Sequence, residues 1–474
     1  MIPEEKTIQV QPQFAPFLSE EQLQQMHETA LRVLEEVGLK VSSQVLERLT
    51  GQCGVLIEGD RVHLSPDLVD GYVQEARRRR SQQTTKRDDP ITISVGSYAS
   101  HIVDLDTDAV RPATTKDLVQ CTRLVDAMHT AGYPVIGQCP GFPADVPLAL
   151  RPLMQYRIGA ENGRFGGNAD VPSVEIAQYI RRMDEVMGRK RGFSMPLYMV
   201  SPLRMEADSL ERILHFLEER PNISVSSMPS IGVSAPIFFP GAFVLSIAEV
   251  LGGYAVLKLL AGDDLHVSYS FNAHPFDMKY TTMIFGSPEH NLCELTQFAV
   301  NRFYGVERHS GRALRSMAKR PGVQATAEKS ASAVIAALAG VRSFSGGGTL
   351  ALDEVFSGEQ LVIDCEITAY AERFIRGYEF SEEALGFHII RDTAAAGGFL
   401  AHGTTLEQYR EVLRMPALFH HSRLKRWKDQ GEPELREEAK AVAREMIAQC
   451  DFHLDGEKRR GLEEIYREAE KKLL

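Results

Sequence analysis

SMPLYMVS at residues 194–201, ISVSSMP at 223–229 and LHVSYSF at 265–271 are three short apolar runs separated by two stretches of helix length. DSLERILHFLEE (208–219) fills the first gap and GAFVLSIAEVLGGYAVLKLLAG (241–262) the second. Runs of this length with β-branched and aromatic residues read as strands, and their alternation with helical segments reads as parallel βα units. The pattern extends outward in both directions. Further strands are expected at YPVIG (133–137), RFGGN (164–168), VERHSG (306–311) and VRSFSGG (341–347). Helices are expected at VEIAQYIRRMDEVMG (174–188), HNLCELTQFAVNRFYG (290–305) and AEKSASAVIAALAG (327–340). Seven units in series, with an eighth strand expected near LGFHII (385–390), suit an α/β fold of the (β/α)8 TIM-barrel class better than a doubly wound sheet.

Upstream of these units the pattern is mixed. EEQLQQMHETALRVLEEVGL (20–39) has apolar residues at helical spacing, with Ser19 placed to cap it and Gly38 to close it. GVLIEG (54–59) and RVHLS (61–65) read as a strand pair, and Pro66 opens another helix. ITISVG (91–96) and SHIVDLD (100–106) read as a hairpin, after which Thr115 is expected to cap a helix. The sequence therefore predicts an N-terminal α+β subdomain over 1–115, a barrel over 116–400 and a C-terminal helical extension over 401–474. That extension is expected to pack on the barrel or on a second subunit, which makes a homo-oligomer an expectation.

Composition narrows the function. The 474 residues are 43% hydrophobic and 25% charged, as in an ordinary globular protein. A net charge of −11 argues against nucleic acid as a partner, since grip on phosphate backbones needs clustered Lys and Arg. The one basic run, Arg77 to Arg80 with Lys86 and Arg87, is offset by Asp88 and Asp89 and reads as a solvated helix end. The six cysteines form no Cys-x-x-Cys and read as reduced thiols of a cytoplasmic protein. Ile231 to Gly262 is interrupted by Pro236, Pro240, Gly241, Glu249 and Lys258, so a buried helix is expected and no membrane span.

Familiar catalytic motifs are absent, so candidates follow from the barrel rule that loops after the strands build the site. That rule selects Asn168, Ser201 and Arg204, Met228 and Pro229, Tyr269, Phe271 and Asn272, His309 and Ser310, and Ser345. These aromatic, amide and hydroxyl groups suit a cation or a neutral polar ligand. They do not suit a metal-bound water, which needs three or four His, Asp, Glu or Cys ligands, so no intrinsic metal is expected. His215, His266, His274, His290, His420 and His421 lack ligand spacing and read as surface or satisfied core histidines. Ser345-Gly346-Gly347-Gly348-Thr349 reads as a tight turn or as a phosphate cradle. Asp104 and Asp106 read as turn formers or as anionic groups at the barrel mouth.

Longer blocks carry a family likeness. SIGVSAPIFFPGAFVLSIAEVLGGYAVLKLLAGDDLHVSYSF (230–271) and FDMKYTTMIFGSPEH (276–290) resemble the trimethylamine methyltransferase family of corrinoid-dependent methyltransferases. VDLDTDAVRPATTKDLVQCTRLVDAM (103–128), EQLVIDCEI (359–367), GGFLAHGTTLEQYR (397–410) and LSEEQLQQMHETALRVLEEVG (18–38) are similar to it in the same order. The resemblance implies a TIM barrel that moves a methyl group from a methylated amine to the cob(I)amide of a corrinoid held by a separate protein. It implies no nucleophile on the enzyme: cobalt(I) attacks the methyl carbon and the amine leaves neutral, so catalysis is positioning and electrostatic shaping. No pyrrolysine is present, so the chain resembles the branch that includes glycine betaine demethylating enzymes. Where that branch has a His before its Gly-rich turn, this chain has Ser345.

The resulting expectation is a betaine-like quaternary amine held by Tyr269, Phe271, Asn272, Ser345 and Asn168. Asp104, Arg204, Met228, His309, Gly346 and Gly347 are expected to face the corrinoid. A non-catalytic amine-binding barrel and a phosphate-binding lyase or isomerase remain as alternatives.

Overall fold

Six strands make up the two parallel arcs of the fold, β1 (Thr92–Val95), β2 (Val135–Ile136), β3 (Ser194–Val200), β4 (Asn222–Ser227), β5 (Val267–Ser270) and β6 (Ser343–Gly347), and short parallel pairings also join Val355–Phe356 to His101–Val103 and Arg204 to Lys40. They are seen in a computed structural model that describes residues 8–12, 15–80, 89–169, 171–189, 194–219, 221–262, 265, 267–306, 310–394 and 398–474. The strands form two parallel arcs, β3-β4-β5 and β2-β1-β6. Gly311 makes a parallel bridge to Phe344 beside β6. The fold is mixed α/β, and its strands alternate with helices along most of the chain.

The helices form the outer layer: α1 (Glu20–Glu36), α2 (Thr115–Thr130), α3 (Phe239–Ala261), α4 (Pro288–Phe303), α5 (Val323–Leu338), α6 (Gly358–Arg376), α7 (Leu435–Gln449) and α8 (Gly456–Leu473). Strand parity assigns the two faces. Ile223, Val225, Val267 and Tyr269 are buried against helices, while Ser224, Ser226, Ser268 and Ser270 occupy the opposite face. In the other arc Ile93 and Phe344 are buried, and Ser94 and Ser345 face the other way in register. The apolar core consequently divides. One cluster joins β3, β4 and β5 to α1, α3 and α8, and a second joins β1 and β6 to α2, α5, α6 and α7.

Helix α3 passes the length and apolarity test for a membrane span, yet most of that stretch is buried inside the protein. Its two central glycines explain how it fits. A Cβ on Gly252 would strike Leu39 and Leu34, and one on Gly253 would lie 2.8 Å from Met199 Sδ. The bare backbone lets α3 lie close to α1 on one side and to β3 and β4 on the other. Its two charged residues are buried and satisfied: Glu249 accepts from Leu203 N–H and Ser201 Oγ, each at 2.8 Å, and Lys258 Nζ donates to Leu265 O.

Four sequence expectations are corrected. ITISVG does not form a hairpin with SHIVDLD: it is β1, parallel to β6 and β2, and His101–Val103 instead pairs with Val110–Pro112. LGFHII is helical, over Glu382–Leu385 and Phe387–Ala394, with Gly386 in the left-handed conformation between the two. RFGGN makes no ladder, because Arg189 donates to the carbonyls of Phe165 and Gly167. The cap ahead of α2 is Thr114, one residue before the expected Thr115, and it forms a reciprocal pair of bonds with Asp117. The C-terminal helices pack on the rest of the chain, where Arg157–Glu463 and Arg182–Glu468 pairs of 2.7 Å tie α8 down.

Candidate active site

A buried polar cluster lies beyond the end of β5. Asn272 receives a 2.9 Å hydrogen bond from Arg312 Nη1 and donates through Nδ2 to Ser227 O at the end of β4. Arg312 also donates to Gln297 Oε1 at 3.1 Å, and its backbone N–H donates to Glu294 Oε2 at 2.8 Å. Glu294 and Gln297 project from α4, one turn apart, so the helix presents both to one arginine. Arg315, three residues further on, pairs with Asp353 at 3.0 Å and lies 5.3 Å over the Phe285 ring.

Two histidines complete this cluster. His274 is 1% exposed, and neither ring nitrogen has a hydrogen-bond partner among the described residues. Its backbone N–H donates to Pro229 O and its carbonyl accepts from Ile231 N–H, so the chain after β5 is held to the chain after β4. His290 Nδ1 accepts from Gly286 N–H at 3.3 Å, which puts the neutral ring's proton on Nε2, 3.8 Å from Glu294 Oε1. Phe285 stands between the two rings, 5.7 Å from His274 and 5.0 Å from His290.

The electrostatics follow from burial beside two guanidinium groups. Desolvation and then Arg312 and Arg315 push His290 down to about 3, and desolvation with Arg312 pushes His274 well below its ordinary value. Both rings are neutral near pH 7. Burial raises the Glu294 carboxyl, and Arg312 opposes that rise. A site with two arginines, neutral imidazoles and an amide can hold the anionic end of a small molecule, and its unpaired ring nitrogens can bond a polar ligand.

The expected site residues fall into separate places. Tyr269 and Phe271 face the helices: Tyr269 lies 5.1 Å from Tyr254 of α3, and Phe271 lies 4.6 Å from Tyr304 just past α4. Asn272 belongs to the polar cluster. Ser345 occupies the hydroxyl face and donates to Gly311 O at 3.1 Å. Asn168 is exposed. Asp104 accepts from Arg111 and from the backbone of Asp106 and Thr107, and these bonds lower its carboxyl. Arg204 is exposed and pairs through its backbone with Lys40 and Val200. Met228 is 45% exposed just past β4. His309 lies outside the described residues, as do His266, Lys86, Arg87 and Asp88. A Cβ on Gly346 would meet Arg315 Cγ at 2.6 Å, and one on Gly347 would meet Ile93 Cγ2 at 2.5 Å.

The Gly-rich turn is explained by close packing, and its Gly348 N–H already donates to Asp364 at 2.8 Å. Asp364 forms a fully buried 2.7 Å pair with Lys329. Sequence reasoning misses His274, His290, Glu294 and Arg312 as a group. The available signals are a histidine four residues past a strand end and the i, i+4 spacing of His290 and Glu294 on a helix. No group of three or more potential metal ligands occurs among the described residues.

Parallel strands under helices, with a buried polar cluster just past a strand end, put the chain in the α/β class, in which small-molecule sites form at such ends. Residues 3–472 match the family described as Trimethylamine methyltransferase (MTTB), and the chain belongs to that family of methyltransferases. It is 26% identical to the Glycine betaine methyltransferase of Desulfitobacterium hafniense (strain Y51) over 428 residues, 86% of this chain and 88% of that one. It is 34% identical over 235 residues to Trimethylamine methyltransferase MttB of Methanosarcina thermophila, 49% of this chain and 47% of that one. The crystal structure of the Methanosarcina barkeri Monomethylamine Methyltransferase (MtmB) aligns over 94% of this chain and 90% of that one, with a TM-score of 0.46 and 12% identity.

Proposed function

We propose that the protein is a cytoplasmic methyltransferase that takes a methyl group from a betaine-like quaternary amine and delivers it to a corrinoid presented by a separate protein. The family match along nearly the whole chain carries this reading. When bound, the corrinoid supplies the cobalt(I) nucleophile. The chain's own task is to hold the amine in line and exclude water. Arg312 and Arg315 take the substrate's anionic end, with Asn272 and the His274 ring beside it. The cationic end lies toward the hydroxyl face of the strands, where Ser226 and Ser270 stand in register with Tyr198 of β3.

The corrinoid-binding partner needs an open, apolar rim around the strand ends. Met228, Val233, Ile237, Phe238, Met278 and Tyr280 are each 45% exposed or more in the loops after β4 and β5, which suits a corrin ring and its carrier. In this reading the two arcs are parts of one (β/α)8 barrel. The Gly311 bridge and the matched hydroxyl faces support that closure. The barrel then takes in residues 92–95, ahead of the boundary expected at 115, with α1 and the Val55–Leu64 hairpin forming the N-terminal subdomain.

The test is to mix the purified protein with reduced cobalamin and a panel of amines, following the absorbance change from cob(I)alamin to methylcobalamin. Turnover is expected with carboxylated quaternary amines and to be much weaker with tetramethylammonium. Calorimetric binding of the amine without any methylcobalamin would establish the non-catalytic binding reading instead.

A further inference from the structure

Asp353, in the segment after β6, follows a backbone forced into an uncommon shape. Ala351 and Leu352, just before it, both have positive φ, 49° and 72°. A residue with a side chain keeps that conformation only where its surroundings over-determine it, and such places cluster at functional sites. Here the surroundings are on the page. Ala351 N–H donates to Ala318 O at 2.8 Å and Leu352 N–H to Ser316 O at 3.0 Å. From the other side Glu328 of α5 accepts from Ser316 Oγ at 2.6 Å and from Met317 N–H at 2.9 Å. The turn is thereby strapped to the residues that follow Arg315, and it delivers Asp353 to 3.0 Å from Arg315 Nη1. Arg315 is held at two further points: its stem lies against the bare Gly346 backbone, and its guanidinium lies 5.3 Å from the centre of the Phe285 ring. The side chains of Arg315 and Asp353 are 17% and 27% exposed, so water and salt screen their charges only in part.

We propose that Asp353 is a positioning and specificity-determining residue: it fixes Arg315 and cancels its charge, so that the site prefers a zwitterion over a plain anion of the same shape. The inference rests on the reading above that Arg312 and Arg315 take the substrate's anionic end. Two arginines beside neutral imidazoles favour any small anion. Asp353 changes that balance at Arg315, and its field also reaches Arg312. For a ligand with a carboxylate and a quaternary ammonium, the repulsion that Asp353 exerts on the first is offset by its attraction for the second. A ligand with the carboxylate alone meets only the repulsion. The ammonium need not touch Asp353 for this, because the charge acts through a partly desolvated space.

The test compares two ligands of one shape, glycine betaine and the tert-butylacetate anion, in which carbon replaces the charged nitrogen. Calorimetry gives the affinity of each for the unmodified protein, Asp353→Asn and Asp353→Glu. The unmodified protein is expected to bind glycine betaine more tightly. At an effective dielectric constant of about 20, a unit charge acting over roughly 10 Å changes binding about 10-fold. Asp353→Asn should shift the ratio of the two affinities toward tert-butylacetate by that factor, and Asp353→Glu, which keeps the charge, should hold the ratio. A purely structural role weakens both ligands alike, so an unmoved ratio in Asp353→Asn overturns the proposal, as does an equal shift in both variants. Should the variants fail to fold, the unmodified protein still decides: equal affinity for the two ligands overturns the proposal while leaving the carboxylate site in place. Binding of neither ligand sinks the carboxylate-site reading itself, and the role of Asp353 with it.

Discussion

Acidification should destabilise the protein through the two histidines buried beside Arg312 and Arg315. His290 has an ordinary value of 6.5 and is lowered to about 3 in the folded protein. Between those values the unfolded chain binds a proton that the folded chain refuses, so stability is full above pH 6.5 and falls as pH drops. The slope is about 1.4 kcal/mol per pH unit for each such group. From pH 7 to pH 5 this amounts to about 2 kcal/mol for His290. His274, held well below its ordinary value by burial, should act in the same direction. The assay is urea denaturation of the unmodified protein and His290→Asn at pH 7 and pH 5, at constant ionic strength, followed by circular dichroism. The loss on acidification should be smaller in the variant by about 2 kcal/mol. Equal losses would show that the His290 ring accepts its proton in the folded state, and the neutral-imidazole description of the site would fail.

Other expected outcomes follow from the same contacts. Lys329→Met leaves Asp364 buried and unpaired and should cost about 3–5 kcal/mol in urea denaturation, while adding Asp364→Leu should recover much of it; an additive double variant contradicts a coupled pair. Phe271→Ala should cost about 3–5 kcal/mol of stability and leave KM for the amine nearly unchanged, because the ring packs on Tyr304. A large rise in KM would return Phe271 to the substrate pocket. Arg312→Gln should lower kcat/KM for a carboxylated amine about 100-fold, the loss of roughly 3 kcal/mol from a charged hydrogen bond, and should leave tetramethylammonium turnover almost as it was. Equal losses for both substrates would remove Arg312 from carboxylate binding.

Most helices and the six strands β1 to β6 are legible in the amino-acid sequence as elements, because periodicity is a signal carried by neighbouring residues. The pairing of β1 is not, for the opposite reason. Its partner Phe344 lies about 250 positions away, and the nearest candidate, SHIVDLD, offers a plausible hairpin. The RFGGN segment has strand-like composition, yet a guanidinium from Arg189 takes its carbonyls. Position along β5 offers Tyr269 and Phe271 as substrate contacts, whereas parity packs both rings against the helices. Counting in twos from the buried Val267 puts both against the helices and leaves Ser268 and Ser270 on the other face. The histidines lack metal spacing, but burial beside arginines is a different use of the side chain, and it depends on loops that only the fold brings together.

The divided core has a consequence for how such a protein can change. None of the apolar packing in either cluster rests on Ser94, Ser226, Ser270 or Ser345. Replacing one hydroxyl by another small group at those positions opens no void in the interior. If the proposed placement of the amine on that face holds, substrate preference can drift from one methylated amine to another while folding is left nearly untouched, so a lineage carrying this scaffold can diversify at little structural risk.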